Sequence, residues 1–281
     1  VIKTLFAVIG GDARSAMLYH FLKQDGHGVT AYALEQSGLA VDCAASLEEA
    51  ISDALYVIGP VPCSKDGLHL RTPLSDKIIS MSTLFGQLSG KSFIAGGLKN
   101  IRQYPCSGEL FDVLESPEMA IKNAIPTAEG ILMLAIENSL ITLHDANCLV
   151  LGYGRIGKVL CHDLHALGAH VMVGARKTED LTWVQLRGYK PLPMPDLSEG
   201  LAKADFIFNT VPKVLLHQQE LEQVRPSCLI IDVASSPFGI DYEAAKQLQI
   251  QAICAQSLPG KVAPATAAVY IRDAIYRIAG A

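Results

Sequence analysis

The chain has 281 residues, half of them hydrophobic and 18% charged, with 23 glycines and 14 prolines, which suits one large or two moderate globular domains. A net charge of -5 gives no reason to expect nucleic acid or an anionic membrane surface as partner, so recognition of anions falls to local cationic sites. The longest apolar run, ILMLAI at 131–136, falls far short of the roughly 20 residues of a membrane helix, so the chain reads as soluble.

The opening, VIKTLFAVIGGDARS, sets a lysine before an apolar segment, as secretory leaders do. The segment is too short, however, and Asp12 and Arg14 stand where a cleavage region belongs, so residues 4–10 are read as a first strand. A helix over 13–24 and a strand over 29–34 follow. Next come a short helix over 46–51, with Ser46 and Glu49 in the S-x-x-E capping pattern, and a strand over 54–59 that Pro60 and Pro62 end. Residues 60–75 read as a loop, 81–88 as a helix, and 91–96 and 110–115 as strands. Strands and helices alternating at this length imply a parallel sheet covered on both faces.

At Pro126, PTAEGILMLAIENSL starts a helix of about four turns with Thr127 as its N-cap. Its centre is apolar all round, which predicts burial on every side, as for a helix threaded between two domains. A second series has strands over 147–152, 170–175, 205–210, 228–234 and 250–255. Its helices lie over 155–167, from Glu179, over 200–204 with the Asp196 and Glu199 pair as cap, over 218–224 and over 242–248. A last helix, from 264, is read as returning to the first domain. The predicted fold is thus two α/β domains joined by crossing helices. An N-terminal parallel-sheet substrate domain takes 1–125 and the C-terminal helix 264–281. A linker helix and a Rossmann dinucleotide-binding domain take 126–263.

Within that second series GYGRIG, with Gly152, Gly154 and Gly157, closes a strand and opens a helix, the context in which G-x-G-x-x-G carries meaning. Gly152 permits the tight turn, Gly154 lets backbone approach a pyrophosphate, Gly157 lets helix pack on strand, and Arg155 and Ile156 complete the phosphate-binding turn. The alternative is a tight turn without a ligand. An NAD site ends its second strand in Asp or Glu to hold the ribose, whereas this chain has Gly174 and Ala175 followed by Arg176, Lys177 and Thr178. A guanidinium suits a 2'-phosphate, so the predicted cofactor is NADP, with a solvated cationic pair as the other reading.

Ligands in such sheets bind beyond the carboxyl ends of strands. Thr210, Val211 and Pro212 of NTVP, and Val233 and Ala234 of DVASSP, are therefore predicted to line the cofactor, and Ser235 the substrate. Asp232 is read two ways, as a functional carboxylate or as a cap for the Ser235 turn. D-2-hydroxyacid dehydrogenases share the two-domain plan but need a histidine acid/base after the last strands. The last histidine here, His217, comes too early, and that family is disfavoured. His162, His165 and Lys158 share one helical stripe, read as the solvent side rather than a metal face. Seven dispersed cysteines without a C-x-x-C pair read as reduced, buried thiols of a cytosolic protein. LPGKVAPATAA, 258–268, is read as a bent loop leading to a helix N-terminus, with Leu258 and Pro259 beside the cofactor, as in similar loops of methylene-tetrahydrofolate dehydrogenases, or else as a plain strand-to-helix connection.

Taken together, VIGGDARS, IPTAEGILMLAI, VLGYGRIG with VGAR, NTVP, DVASSPFGIDY and LPGKVAPATAA resemble the A-subunit family of bacterial dipicolinate synthase, in the same order over nearly the whole chain. That resemblance implies oxidation of a cyclic dihydropyridine dicarboxylate to pyridine-2,6-dicarboxylate with NADP, in the cytoplasm of the mother cell of a sporulating bacterium. It also implies a partner, the flavoprotein-like B subunit, and a homo-oligomer. For such a substrate Arg14 is the first choice as anion clamp, positioned by Asp12, with Thr127 second and Lys261 third. The Arg14 and Asp12 pair also reads as a structural salt bridge or cap. Asp12 and Glu129 are the candidate catalytic carboxylates, with complementation of the helix dipole as the other reading of Glu129. Two alternatives remain: a shikimate- or methylene-tetrahydrofolate-type dehydrogenase, for which Lys99 is the only loose candidate, and an NADP-binding subunit without chemistry of its own.

Overall fold

The computed structural model describes residues 5–280, so Thr4, with which the first predicted strand opens, and Ala281 lie outside the described residues. The chain divides into two compact units, Val1–Asn123 with Ala263–Ala281, and Ala124–Val262.

The first unit runs β1 (Leu5–Ile9), α1 (Ala13–Gln24), β2 (Gly28–Tyr32), α2 (Leu47–Ile51), β3 (Tyr56–Ile58), α3 (Met81–Gln87), β4 (Ser92–Ala95), β5 (Leu110–Asp112) and α4 (Pro117–Lys122). All strand pairs are parallel, in the order β2-β1-β3-β4-β5. Phe6 to Ile9 are buried, as a strand covered on both faces requires. Asp12 caps α1, its carboxylate accepting from Arg14 N at 3.2 Å. At α2 the capping pattern is real but shifted by one residue: Ser46 Oγ accepts from Glu49 N (3.1 Å), while the Glu49 carboxylate reaches Ala45 N (2.8 Å). The strand predicted over 110–115 stops at Asp112, whose carboxylate accepts from Gly97 N, Leu98 N and Leu114 N and turns the chain into a 3-10 segment, Val113–Glu115.

The second unit begins with α5 (Ala124–Glu137) and β6 (Asn147–Leu151), and continues α6 (Arg155–Ala166), β7 (His170–Ala175), α7 (Thr178–Leu186), β8 (Lys190–Pro193), α8 (Leu197–Lys203), β9 (Phe206–Asn209), α9 (Gln218–Leu221), β10 (Leu229–Asp232), α10 (Tyr242–Gln247), β11 (Gln251–Cys254) and α11 (Leu258–Val262). Six parallel strands lie in the order β11-β10-β9-β6-β7-β8, the doubly wound dinucleotide-binding arrangement, whose crevice lies at the switch in strand order between the paired β6 and β9. The final helix, α12 (Pro264–Ala279), belongs to the first unit, where Ala268, Ile271, Ala274 and Ile275 share a core with Leu18 and Leu22 of α1.

Several predicted details are corrected. α5 starts at Ala124, so Thr127 lies inside the helix and is not its cap, and Ile125 and Ile136 are exposed, so the helix is not buried on every side. α8 starts at Leu197, Asp196 makes no side-chain cap, and Glu199 pairs with Lys190 (2.6 Å) and Lys203 (2.9 Å). Four cysteines, at 63, 148, 161 and 228, are buried, with burial pushing the thiols of Cys63, Cys148 and Cys228 up to about 12, whereas Cys254 is exposed. The stretch Pro117–Glu137 has the length of a membrane-crossing helix and contains an 18-residue window of mean hydropathy 1.3, which contiguous apolar runs alone did not reveal; 44% of that window is buried in the protein.

The most buried ion pair of the first unit among the described residues is Arg14 with Asp12, the Arg14 side chain 5% exposed. Burial would raise the Asp12 carboxyl, but the bonds and charge of Arg14 outweigh it and hold it below its ordinary 3.8. A depressed carboxylate stabilises the fold above its unfolded pKa, and that contribution is lost as pH falls through the lower, folded value. Asp12→Asn should therefore destabilise the first unit by about 2–4 kcal/mol at pH 7. The difference from wild type should shrink as pH falls below 3.8, as followed by urea unfolding at pH 7 and along that descent.

Candidate functional site

In the second unit the residues that follow β6 form a cradle. Gly152 has φ +97°, and a Cβ there would lie 2.6 Å from Thr210 Oγ1 and 2.7 Å from Val211 Cγ2. A Cβ on Gly157 would lie 2.2 Å from Gly152 O, so α6 starts close to its strand only because both side chains are missing. Gly154 differs: a Cβ there meets nothing within 4 Å. Neighbouring protein atoms do not require that glycine. The space it leaves open lies at the start of a helix with no side-chain cap and no acidic residue in its first turn. Free N–H groups at Arg155, Ile156 and Gly157, together with the helix dipole, fit a pyrophosphate.

At the end of β7, Ala175 is buried, and Arg176 and Lys177 are exposed; Lys177 O accepts from Leu181 N (3.1 Å), but neither side chain makes a hydrogen bond or ion pair with any described residue. Lys177 precedes α7 and contributes no side-chain cap. These two cations are free for a ligand.

The ends of β9 and β10 are tied together. Thr210 Oγ1 donates to Leu151 O (2.9 Å), and Asn209 Nδ2 donates to Val211 O (3.0 Å) and Asp232 Oδ1 (2.8 Å). Asp232 also accepts from Ala234 N (3.0 Å), Gly239 N (2.8 Å) and Tyr242 OH (3.1 Å), and both it and Asn209 have no exposed surface. Its oxygens are engaged, so of its two readings the structure supports the cap. Burial, then the Asp232 charge, pushes the Tyr242 hydroxyl far up. Val233 and Thr210 are half-buried, Ala234 is buried, and Pro212 and Ser235 are exposed. Gly239 is required here, since a Cβ would lie 1.9 Å from Asn209 Nδ2.

Residues 258–262 do not form the predicted bent loop. They make α11, which packs on α5: Leu258 and Pro259 are buried, and Gly130 is bare because a Cβ would lie 2.9 Å from Leu258 Cβ. Lys261 is exposed on that helix. Glu129 is exposed in the second turn of α5, not the first, and has no hydrogen-bond or ion-pair partner among the described residues. Burial and then its charge raise the carboxyl of Asp163 on α6 against the pull of His162. His162 lines, with Lys158, Tyr153, Trp183, Arg187 and Tyr189, a cavity of about 460 Å³. No group of three metal-ligating residues occurs among the described residues.

In the first unit Arg14 does not present a free clamp. Its Nε and Nη2 bond Asp12 (2.9 and 2.7 Å), and Nη2 also donates to Val61 O. Lys99 is exposed in a 3-10 turn. Sequence reasoning passed over Arg71, a half-buried cation within the field of Asp12 and Arg14, because it sits in a segment without periodicity.

The family profile for the N-terminal domain of the dipicolinate synthase A subunit matches residues 5–104, and that of the D-isomer specific 2-hydroxyacid dehydrogenase NAD-binding domain matches 133–248. The dipicolinate synthase A subunit of Bacillus subtilis is 30% identical over 280 residues, covering 97% of this chain and 94% of that protein. The crystal structure of the Bacillus halodurans A subunit superposes with TM-score 0.86 at 26% identity, covering 98% of this chain and 97% of the other. That of the Bacillus subtilis protein gives 0.84 at 29%, covering 100% and 97%. The second profile shows that the cofactor unit is similar to the NAD-binding domain of 2-hydroxyacid dehydrogenases, in keeping with the shared two-domain plan. The histidine that such enzymes place after the last strands is still missing, and His217 caps α9.

The middle and last glycines of the cradle predict opposite outcomes. Gly157→Ala should cost about 3 kcal/mol or more of stability. Gly154→Ala should leave the melting temperature unchanged while raising the dinucleotide Kd about tenfold or more, through loss of N–H contacts worth about 1.5 kcal/mol each. Thermal melts and isothermal titration of both variants make the check.

Proposed function

The chain belongs to the dipicolinate synthase A-subunit family, and from that membership and the geometry of its second unit we propose that it is an NADP-linked dehydrogenase making pyridine-2,6-dicarboxylate. The chain is an oxidoreductase with a nicotinamide dinucleotide domain. Its assignment to NADP is carried by Arg176 and Lys177, two cations without side-chain partners where an NAD site has a carboxylate. Lacking internal partners, they are available to a 2'-phosphate, and Arg176 offers its fork for paired hydrogen bonds.

Oxidising a dihydropyridine dicarboxylate removes one hydride and one proton and leaves an aromatic ring, so the step is downhill once the ring is oriented. When bound, the oxidised nicotinamide takes up the hydride. In this reading Gly152–Gly157 hold the pyrophosphate through backbone N–H groups, and Thr210, Val211, Pro212, Val233 and Ala234 supply small side chains and backbone at the strand ends. Ser235 and Lys261, both exposed, are available to substrate. Glu129, an exposed carboxylate with no partner, is the proton acceptor. Asp12 is left out of that role because Arg14 holds it ionised and engaged. The protein works as a homo-oligomer with a flavoprotein-like B subunit, in the mother-cell cytoplasm of a sporulating bacterium.

Two measurements test this. Arg176→Asp should raise the NADP Kd about 10- to 100-fold and change the NAD Kd less than about threefold; equal losses for both nucleotides would remove the cation from the site. Purified chain alone, given NADP and the dihydropyridine substrate, should develop pyridine-2,6-dicarboxylate absorbance at a rate that Glu129→Gln slows. No turnover without the B subunit, despite tight NADP binding, would make this a cofactor-binding subunit rather than a complete enzyme.

A further inference from the structure

Between β3 and α3 one arginine is held by its main chain alone. Arg71 donates its N–H to Cys63 O (2.9 Å), and its carbonyl accepts from Gly11 N (2.8 Å). It thus bridges the chain leaving β1 to the chain leaving β3. Those are the strands at which the order β2-β1-β3-β4-β5 switches, the place where open α/β sheets bind ligands. The contact is tight enough to dictate sequence: Gly10 has φ +61°, and a Cβ there would lie 2.8 Å from Arg71 O.

The side chain, by contrast, is uncommitted. Half-buried, the Arg71 guanidinium makes no hydrogen bond or ion pair with any described residue, and it lines a cavity of about 300 Å³ together with Lys65, His69 and Thr72. The nearby carboxylates are engaged elsewhere. Asp12 holds Arg14. Asp66, in the same wall, takes His69 Nδ1 (2.8 Å) and the N–H groups of Leu68 and His69 (2.8 and 2.9 Å). Burial pulls the Arg71 guanidinium below its ordinary value, with the field of Asp12 opposing and that of Arg14 reinforcing. Lys65 is exposed and also without a partner. The cavity therefore has two unanswered positive charges, one of them partly desolvated, where a carboxylate gains most from a bidentate partner.

We propose that Arg71, with Lys65 beside it, is the carboxylate clamp of the first unit, and that Arg14 acts only by positioning it. Arg14 donates to Val61 O, two residues before the Cys63 carbonyl that fixes Arg71. The proposal rests on reading the chain as a dicarboxylate oxidoreductase, and its test separates the two.

The full-length chain, wild type, Arg71→Gln and Arg71→Lys, is titrated calorimetrically with pyridine-2,6-dicarboxylate and, separately, with malonate, a plain dicarboxylate. Arg71 is held by backbone, so folding should survive the change, and an unaltered NADP affinity checks the second unit. The clamp predicts a Kd for pyridine-2,6-dicarboxylate about 10- to 100-fold higher in Arg71→Gln, with partial recovery in Arg71→Lys. If wild type and Arg71→Gln bind it equally, the clamp is wrong while the substrate class stands. If wild type binds malonate only, and Arg71→Gln loses it, the clamp stands and the substrate class falls. Binding of neither by wild type overturns both.

Discussion

The cofactor unit depends on one close approach, in which a Cβ on Gly157 would sit 2.2 Å from the carbonyl of Gly152. Without it α6 would begin farther from β6, and its unpaired N–H groups would no longer converge on the open space at Gly154. The same turn seats Thr210, whose hydroxyl bonds Leu151 O and ties β9 to β6. Asn209 then ties β9 to Asp232 on β10, and Gly239 is bare because the Asn209 amide occupies its side-chain position. Three neighbouring strand ends are thus locked by side chains before any ligand arrives. A crevice built in this way requires little reorganisation on binding.

The distribution of charge follows a simple division. Asp232, Asn209, Asp12 and Arg14 are polar residues at strand ends or helix starts, and all have their hydrogen-bonding groups directed at other protein groups. Arg176, Lys177, Arg71 and Lys65 do not. A buried polar group must be satisfied internally, since leaving it unpaired costs a large part of its desolvation, whereas a half-buried or exposed cation can wait for a guest. Residue type alone cannot distinguish the two sets. Partners can.

This division also explains what was legible in the sequence. The strands of both sheets are apolar runs bounded by Gly, Pro or Asp, and the glycine turn stands between two of them, so the architecture and the cradle could be read from order and spacing. β8 was missed because KPLP carries two prolines, which a sheet tolerates only at an edge, where this strand lies. The helical turn α11 was missed because Pro and Gly in succession signal a loop, and only packing against Gly130 shows otherwise. Arg14 stands out in the sequence because a cation at a strand-to-helix turn has a recognisable local context, which Arg71 lacks. Arg71 acquires its context from Gly11 and Cys63, which are distant in sequence.

The boundary between fold and specificity can be placed within one peptide. Ala175, the last residue of β7, is buried and pairs with Pro193 of β8. Arg176, the next, is exposed, and its side chain has no hydrogen bond or ion pair with any described residue. Packing constrains the chain up to that bond and leaves the following side chain uncommitted. The same logic applies to chemistry: residues 133–248 match a 2-hydroxyacid dehydrogenase cofactor domain, yet no histidine follows His217. A 2-hydroxy acid needs an acid/base at its hydroxyl, since hydride loss alone leaves a protonated carbonyl. A dihydropyridine loses its hydride toward an aromatic ring, and the remaining demand is to hold two carboxylates. The two differences from the matched domain's pattern, a cation after β7 and no late histidine, are those that the proposed phosphorylated nucleotide and aromatising dicarboxylate would each call for.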